Sequence, residues 1–117
     1  CLLPLTPDTN GILNESLFSK LPRGAYLIHV ARGPHLVGED LIQSIDKGQM
    51  SGAAIDVFPT EPLDTKSPFW GHSKIHITPH CASISSPESV VAQIVVNYNR
   101  LTSHQPLLNQ VDTLKGY

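Results

Sequence analysis

The chain has 117 residues, 40% of them hydrophobic and only 15% charged, with a net charge of −2. Normal apolar content with few charges excludes a disordered tail or an acidic activator. The eight Lys and Arg residues form no stripe, which excludes electrostatic nucleic-acid binding. No apolar run approaches the ~18–20 residues of a membrane helix, and no charged-then-apolar leader opens the chain, so no membrane partner is expected. Cys1 and Cys81 make no disulfide framework, which fits a reducing cytoplasm. Asn14-Glu15-Ser16 matches a glycosylation sequon and is read as coincidence. The chain opens on Cys1 rather than Met, and is expected to be a piece of a longer protein.

Cys1-Leu2-Leu3 reads as a short strand stopped by Pro4, and residues 6–11 carry turn chemistry. Asn14 can cap a short helix over 15–20, with Glu15 in its first turn. Residues 25–30 are β-prone and almost continuously apolar, the pattern of a strand buried on both faces in a parallel sheet. A helix over 39–47 presents Leu41, Ile42 and Ile45 on one face, with Gly48 as its stop. A further strand covers 52–58. A proline-broken loop follows, in which Phe69-Trp70 anchors a turn, and a last strand covers 74–78. The strongest helix, 87–101, repeats Val90, Val91, Ile94, Val95, Tyr98 and Leu101 at helical spacing. Residues 103–117 are irregular but apolar enough to dock. This alternation of strands and helices predicts an α/β domain with a parallel sheet.

In open parallel sheets ligands bind beyond the carboxyl ends of the strands. Here those ends are followed by Pro4 and Thr9, by Arg32, by Asp56 and Glu61, and by His80. A guanidinium grips a carboxylate bidentately and polarises a carbonyl beside it. An imidazole moves a proton near neutral pH, and a neighbouring carboxylate orients it. That set suits proton transfer on a small oxo acid, with hydride left to a cofactor because no side chain supplies it.

The stretches Leu3-Pro4-Leu5-Thr6-Pro7-Asp8-Thr9, Val30-Ala31-Arg32-Gly33, Asp56-Val57-Phe58 with Glu61-Pro62, and Pro79-His80-Cys81-Ala82 resemble the D-isomer-specific 2-hydroxyacid dehydrogenases, in order and spacing, over essentially the whole chain. Arg32-Gly33-Pro34-His35-Leu36-Val37, Ile77-Thr78-Pro79-His80 and the ending through Gly116-Tyr117 resemble the family's glyoxylate/hydroxypyruvate reductase A branch. The resemblance implies the second half of a Rossmann-like doubly wound parallel sheet in residues 1–85. Residues 86–117 would be an interdomain helix and a tail returning to a substrate domain. It also implies NADP or NAD as cofactor, a small 2-oxo acid as substrate, and a homodimer. Arg32, Glu61 and His80 would be catalytic. Pro4, Thr9, Val30, Ala31, Arg32, Asp56 and Ala82 would line the nicotinamide half of the cofactor. The chain departs from the family in carrying no G-x-G-x-x-G, and Leu36-Val37-Gly38-Glu39 stands where many members have Val-Asp-Glu. The isolated chain is therefore expected to have little or no activity.

Other readings of the same residues are weaker. His72, His76 and His80 are spaced by four, but strand-like Ile75 and Ile77 and the break at Pro79 argue against one helical metal face, and no metal is expected. Cys81 beside His80 on extended chain points away from it and reads as a small filler, not a nucleophile. Trp70 and the stripe over 90–101 read as core or interface. The alternative function is a dinucleotide-sensing binding module, such as a corepressor, built on the same fold.

Overall fold

The computed structural model describes residues 1–117 as two compact units, Cys1–Ala82 and Ser83–Tyr117. In the first, three parallel strands form one sheet in the order β1 (Ala25–His29), β2 (Met50–Ile55), β3 (Ile75–Ile77). Helix α1 (Glu15–Phe18) precedes β1, and α2 (Gly38–Asp46) crosses from β1 to β2. Between them a 3-10 turn spans Gly33–His35.

Local chemistry accounts for these elements. Asn14 caps α1, its side chain accepting from the Leu17 N–H at 3.1 Å. Glu39 and Asp40 stand in the first turn of α2, where the helix dipole favours them. Gly48, at φ +72, turns the chain after α2 in a conformation that a Cβ disfavours. Gln49 donates its amide to the carbonyls of Phe18 and Leu21, 2.9 Å each, and so ties the start of β2 to the end of α1. Phe18, Leu41, Ile45, Met50, Ala53 and Ile55 are essentially inaccessible and form the core with Leu27 and Ile75.

Three expectations are corrected. β1 is buried on one face only: Leu27 and His29 point into the core, while Tyr26 and Ile28 are 47% and 59% exposed. Leu27 shares the core with Phe18 of α1 and with Leu41 and Ile45 of α2. Cys1-Leu2-Leu3 is not a strand. Its pairing is limited to the Cys1 ammonium on the Ile28 carbonyl and the Val30 N–H on the Cys1 carbonyl, because Pro4 has no N–H with which to continue a ladder. Of the two readings of Trp70, core or interface, the first fails: it is 56% exposed and ties the turn by donating its indole N–H to the Asp64 carbonyl, while Phe69 takes the buried place beside Phe58.

His29 ends β1 fully buried, with neither ring nitrogen hydrogen-bonded. Burial, then the neighbouring His35, push its pKa down from 6.5 to about 4. The unfolded chain takes up this proton first as pH falls. Stability is therefore whole above pH 6.5 and declines toward pH 4, by about 3 kcal/mol at most. Urea denaturation between pH 7 and pH 4 should show that decline, and His29→Leu should flatten it. Identical pH profiles for the two chains would clear His29 as its cause.

The second unit is α3 (Pro87–Thr102) with a tail folded back upon it. The Asn97 amide donates to the Leu108 carbonyl and accepts the Leu108 N–H, and Arg100 Nε donates to the Pro106 carbonyl. No residue of α3 is buried, and its apolar stripe, Val90 through Leu101, stands 40–64% exposed.

Candidate active site

His29, Ile55 and Ile77 lie in register across the sheet, so the chain beyond each strand emerges at one edge. The ladder continues a step further. The Asp56 N–H donates to the His29 carbonyl at 3.0 Å, the Thr78 N–H to the Ile55 carbonyl at 3.1 Å, and the His80 N–H to the Asp56 carbonyl at 2.9 Å. Asp56 itself is 2% exposed. Its carboxylate accepts the Thr78 hydroxyl and the backbone N–H groups of Cys81 and Ala82, both at 2.9 Å. Burial alone would raise its pKa; these hydrogen bonds outweigh burial and hold it below the ordinary carboxylate value. Asp56 thus fixes the loop over 78–82, in which His80 takes a left-handed backbone, φ 52.

His80 Nδ1 lies 2.8 Å from Glu61 Oε2. A carboxylate only accepts, so Nδ1 carries the proton and Nε2 is the nitrogen available to a substrate. The other Glu61 oxygen accepts the Phe58 N–H at 2.9 Å. The hydrogen bond from His80, then that from Phe58, keep the Glu61 carboxyl below its ordinary pKa, so it is ionised at neutral pH. The His80 side chain is half exposed, as a group that meets a substrate requires. A cavity of about 580 Å³ adjoins the pair, walled by Leu63, Trp70 and Ile77.

The loop that carries Arg32 packs against the loop that leads to Glu61. Gly33 presses so closely on the next loop that a Cβ there would lie 1.9 Å from the Phe58 carbonyl carbon and 2.3 Å from Pro59 N. Arg32, one residue earlier, is exposed, and its guanidinium donates back to the Ala31 carbonyl at 2.7 Å. Geometry therefore pairs Glu61 with His80 directly, and sets Arg32 on the loop packed against the one that carries Glu61.

Of the cofactor-lining candidates, Ala31 is buried, Val30 is half-buried, and Pro4 and Ala82 are exposed. Thr9 donates its hydroxyl to the Pro4 carbonyl at 2.7 Å and accepts the Thr6 N–H at 2.8 Å, closing the turn between them. His72 Nε2 faces Asp46 rather than His76 or His80, and no three His, Cys, Asp or Glu residues gather in a metal-binding group. Thr78 and His35 escape sequence reasoning. A threonine at a strand end has no signature that separates an Asp56 donor from a surface hydroxyl, and His35 looks like any loop histidine.

The carboxyl edge of a parallel α/β sheet, where such sheets hold their ligands, here carries an arginine, a buried aspartate and a glutamate–histidine pair. The family description "D-isomer specific 2-hydroxyacid dehydrogenase, NAD binding domain" matches residues 1–82, and the chain belongs to that family. It is 50% identical over 116 residues to a glyoxylate/hydroxypyruvate reductase A of Serratia proteamaculans, covering 99% of this chain and 37% of that protein. A D-isomer specific 2-hydroxyacid dehydrogenase of Xanthobacter autotrophicus, solved with NADPH and MES, superposes with a TM-score of 0.95 at 45% identity, over 99% of this chain and 48% of that one. The NADPH-dependent glyoxylate/hydroxypyruvate reductase of Sinorhizobium meliloti, solved with NADP and sulfate, gives 0.91 at 40% identity, over 99% of this chain and 38% of that one. The chain thus spans 37% of the length of the curated relative from Serratia.

Proposed function

We propose that this chain supplies the acid–base half of an oxidoreductase that passes hydride from NADPH or NADH to a small 2-oxo acid, such as glyoxylate or hydroxypyruvate, giving the 2-hydroxy acid. The observation that carries this reading is the 2.8 Å His80–Glu61 pair at the edge where Arg32 also emerges. The relatives solved with NADPH or NADP support the cofactor class. The residues present fit the nicotinamide half of such a cofactor. Pro4, Val30 and Ala82 offer small apolar walls at the strand ends beside the polar Thr9, while Ala31 is buried behind them. Asp56, its carboxylate taken up by Thr78, Cys81 and Ala82, acts by holding the Cys81–Ala82 backbone rather than by meeting the cofactor. A phosphate cradle is not among these residues, since the sequence holds no G-x-G-x-x-G.

When bound, the nicotinamide supplies the hydride that no side chain can. The chain's own residues do the rest. Arg32 holds the oxo acid's carboxylate and draws electron density from its carbonyl. As the imidazolium, with a proton on each nitrogen, His80 gives the Nε2 proton to the carbonyl oxygen and is left neutral with Nδ1–H on Glu61; in the reverse direction the neutral ring takes a proton back at Nε2. Glu61 keeps the ring turned so that Nε2 faces outward, and stabilises the imidazolium. The reading carries with it a cytoplasmic location and a homodimer; the exposed apolar stripe of α3 is open to a second copy or to the rest of a longer chain. No helix is long and apolar enough to cross a membrane.

The test is a graft in which residues 1–117 replace the matching segment of the Serratia relative. It should oxidise NADPH on addition of glyoxylate. Arg32→Lys should raise the glyoxylate KM by roughly 10–100-fold, since an ammonium cannot form the fork. A graft that binds NADPH and never turns over would favour the sensing module instead. An unchanged KM in Arg32→Lys would remove Arg32 from the substrate site.

A further inference from the structure

His35 follows Arg32 in the 3-10 turn, and the reaction described above makes no use of it. Its ring is fully buried, yet both nitrogens are engaged: Nδ1 lies 2.7 Å from the Arg32 carbonyl oxygen, Nε2 3.2 Å from that of Pro4. A carbonyl oxygen only accepts, so the ring serves these groups by donating. The neutral ring satisfies one of them and the imidazolium both. The two carbonyls occupy telling places. That of Arg32 also accepts the His35 N–H, at 3.1 Å, so His35 holds it twice. That of Pro4 is the one to which Thr9 donates its hydroxyl. A single imidazole therefore stands between the backbone of the oxo-acid arginine and the turn that lines the nicotinamide side, donating to one of the two carbonyls when neutral and to both when protonated.

Packing alone does not account for this arrangement. His29 touches the same ring edge-on, with centroids 5.8 Å apart, and is equally buried, yet neither of its nitrogens finds a partner. Burial at this spot thus does not by itself supply hydrogen bonds. Those of His35 arise from where the Arg32 and Pro4 carbonyls stand.

We propose that His35 is a positioning residue whose ring sets the Arg32 loop and the Pro4–Thr9 turn in one fixed relation, coupling the oxo-acid site to the nicotinamide site. This rests on the reading of Arg32 as the substrate arginine and of the Pro4–Thr9 turn as a cofactor wall.

The test uses the same graft with three substitutions. An Asn amide reaches about as far as Nδ1, and a Gln amide about as far as Nε2. His35→Leu should raise both the glyoxylate KM and the NADPH Kd by roughly five- to tenfold, with kcat at saturation within about twofold. His35→Asn should restore the glyoxylate KM and leave the NADPH Kd high. His35→Gln should do the reverse. The NADPH Kd, read from nucleotide fluorescence, needs no turnover. Nitrogen-15 shifts of the His35 ring, read on the graft without cofactor, should report hydrogen-bonded N–H donors. Should His35→Leu fail to fold, the Asn and Gln variants carry the test alone. Reciprocal recovery supports the coupling; equal losses in both constants, tracking a drop in melting temperature, overturn it. If the unsubstituted graft never reduces glyoxylate, the function reading fails. The ring shifts and the NADPH Kd of the Gln and Leu variants then decide on His35 by themselves.

Discussion

His80→Gln in the graft should lower kcat for glyoxylate reduction by about 10²–10⁴-fold, the range of a lost general acid, and leave the NADPH Kd within about twofold. The selectivity follows from how the residue is held. His80 takes its place through backbone contacts: its N–H on the Asp56 carbonyl, and its two following residues on the Asp56 carboxylate. None of these needs the imidazole, so a Gln keeps the loop. What disappears is a group that can part with a proton: the Nε2 proton of an imidazolium whose charge Glu61 steadies until the transfer. Glu61, held ionised by its two donors, keeps this pairing intact across neutral pH and loses it only as pH falls through the carboxylate range. Glu61→Gln should therefore cost less than His80→Gln. An equal fall in kcat and in cofactor affinity for His80→Gln would assign His80 to binding rather than to proton transfer.

What the sequence discloses here is order and polarity, and these suffice for much. The apolar runs at 25–30 and 74–78 place strands to within a residue or two of β1 and β3, because β-branched and aliphatic residues on a pleat announce themselves. Helical spacing places α2 and α3 equally well. Glu61 and His80 meet at 2.8 Å, a pairing that strand order alone left open between Asp56 and Glu61 and that the family resemblance implied. The strand over 52–58 loses its last three residues, because the Phe58 N–H turns away to Glu61, a partner three residues downstream that no periodicity reveals. Asp56 shows the same limit. A carboxylate closing an apolar run must be paired, but only the fold shows that its partners are Thr78, Cys81 and Ala82. The exposed face of β1 is a different case: Tyr26 and Ile28 alternate with Leu27 and His29 and are themselves apolar, so no polar residue in the run marks the face that stands open.

Gly33→Ala should cost the chain about 3 kcal/mol or more of stability, seen as a fall of roughly 10 °C or more in its melting temperature. The reason is a collision with main chain, which cannot rotate out of the way as a side chain does. The added methyl would lie 1.9 Å from the Phe58 carbonyl carbon, 2.2 Å from its oxygen and 2.3 Å from Pro59 N. Relief requires the two loops to separate by more than an ångström, roughly, since carbons pack at about 3.5–4.0 Å. The segments being forced apart carry the site. Arg32 rides on one, and the Phe58 N–H that steadies Glu61 rides on the other. In the graft, the same substitution should therefore cut kcat/KM for glyoxylate by 10²-fold or so, the penalty that an ångström of misplacement exacts from aligned groups. Thermal unfolding of the chain reads the first effect and steady-state kinetics of the graft the second. An alanine chain that melts with the parent would show that the two loops are not in contact as described, and would detach Arg32 from the Glu61–His80 pair.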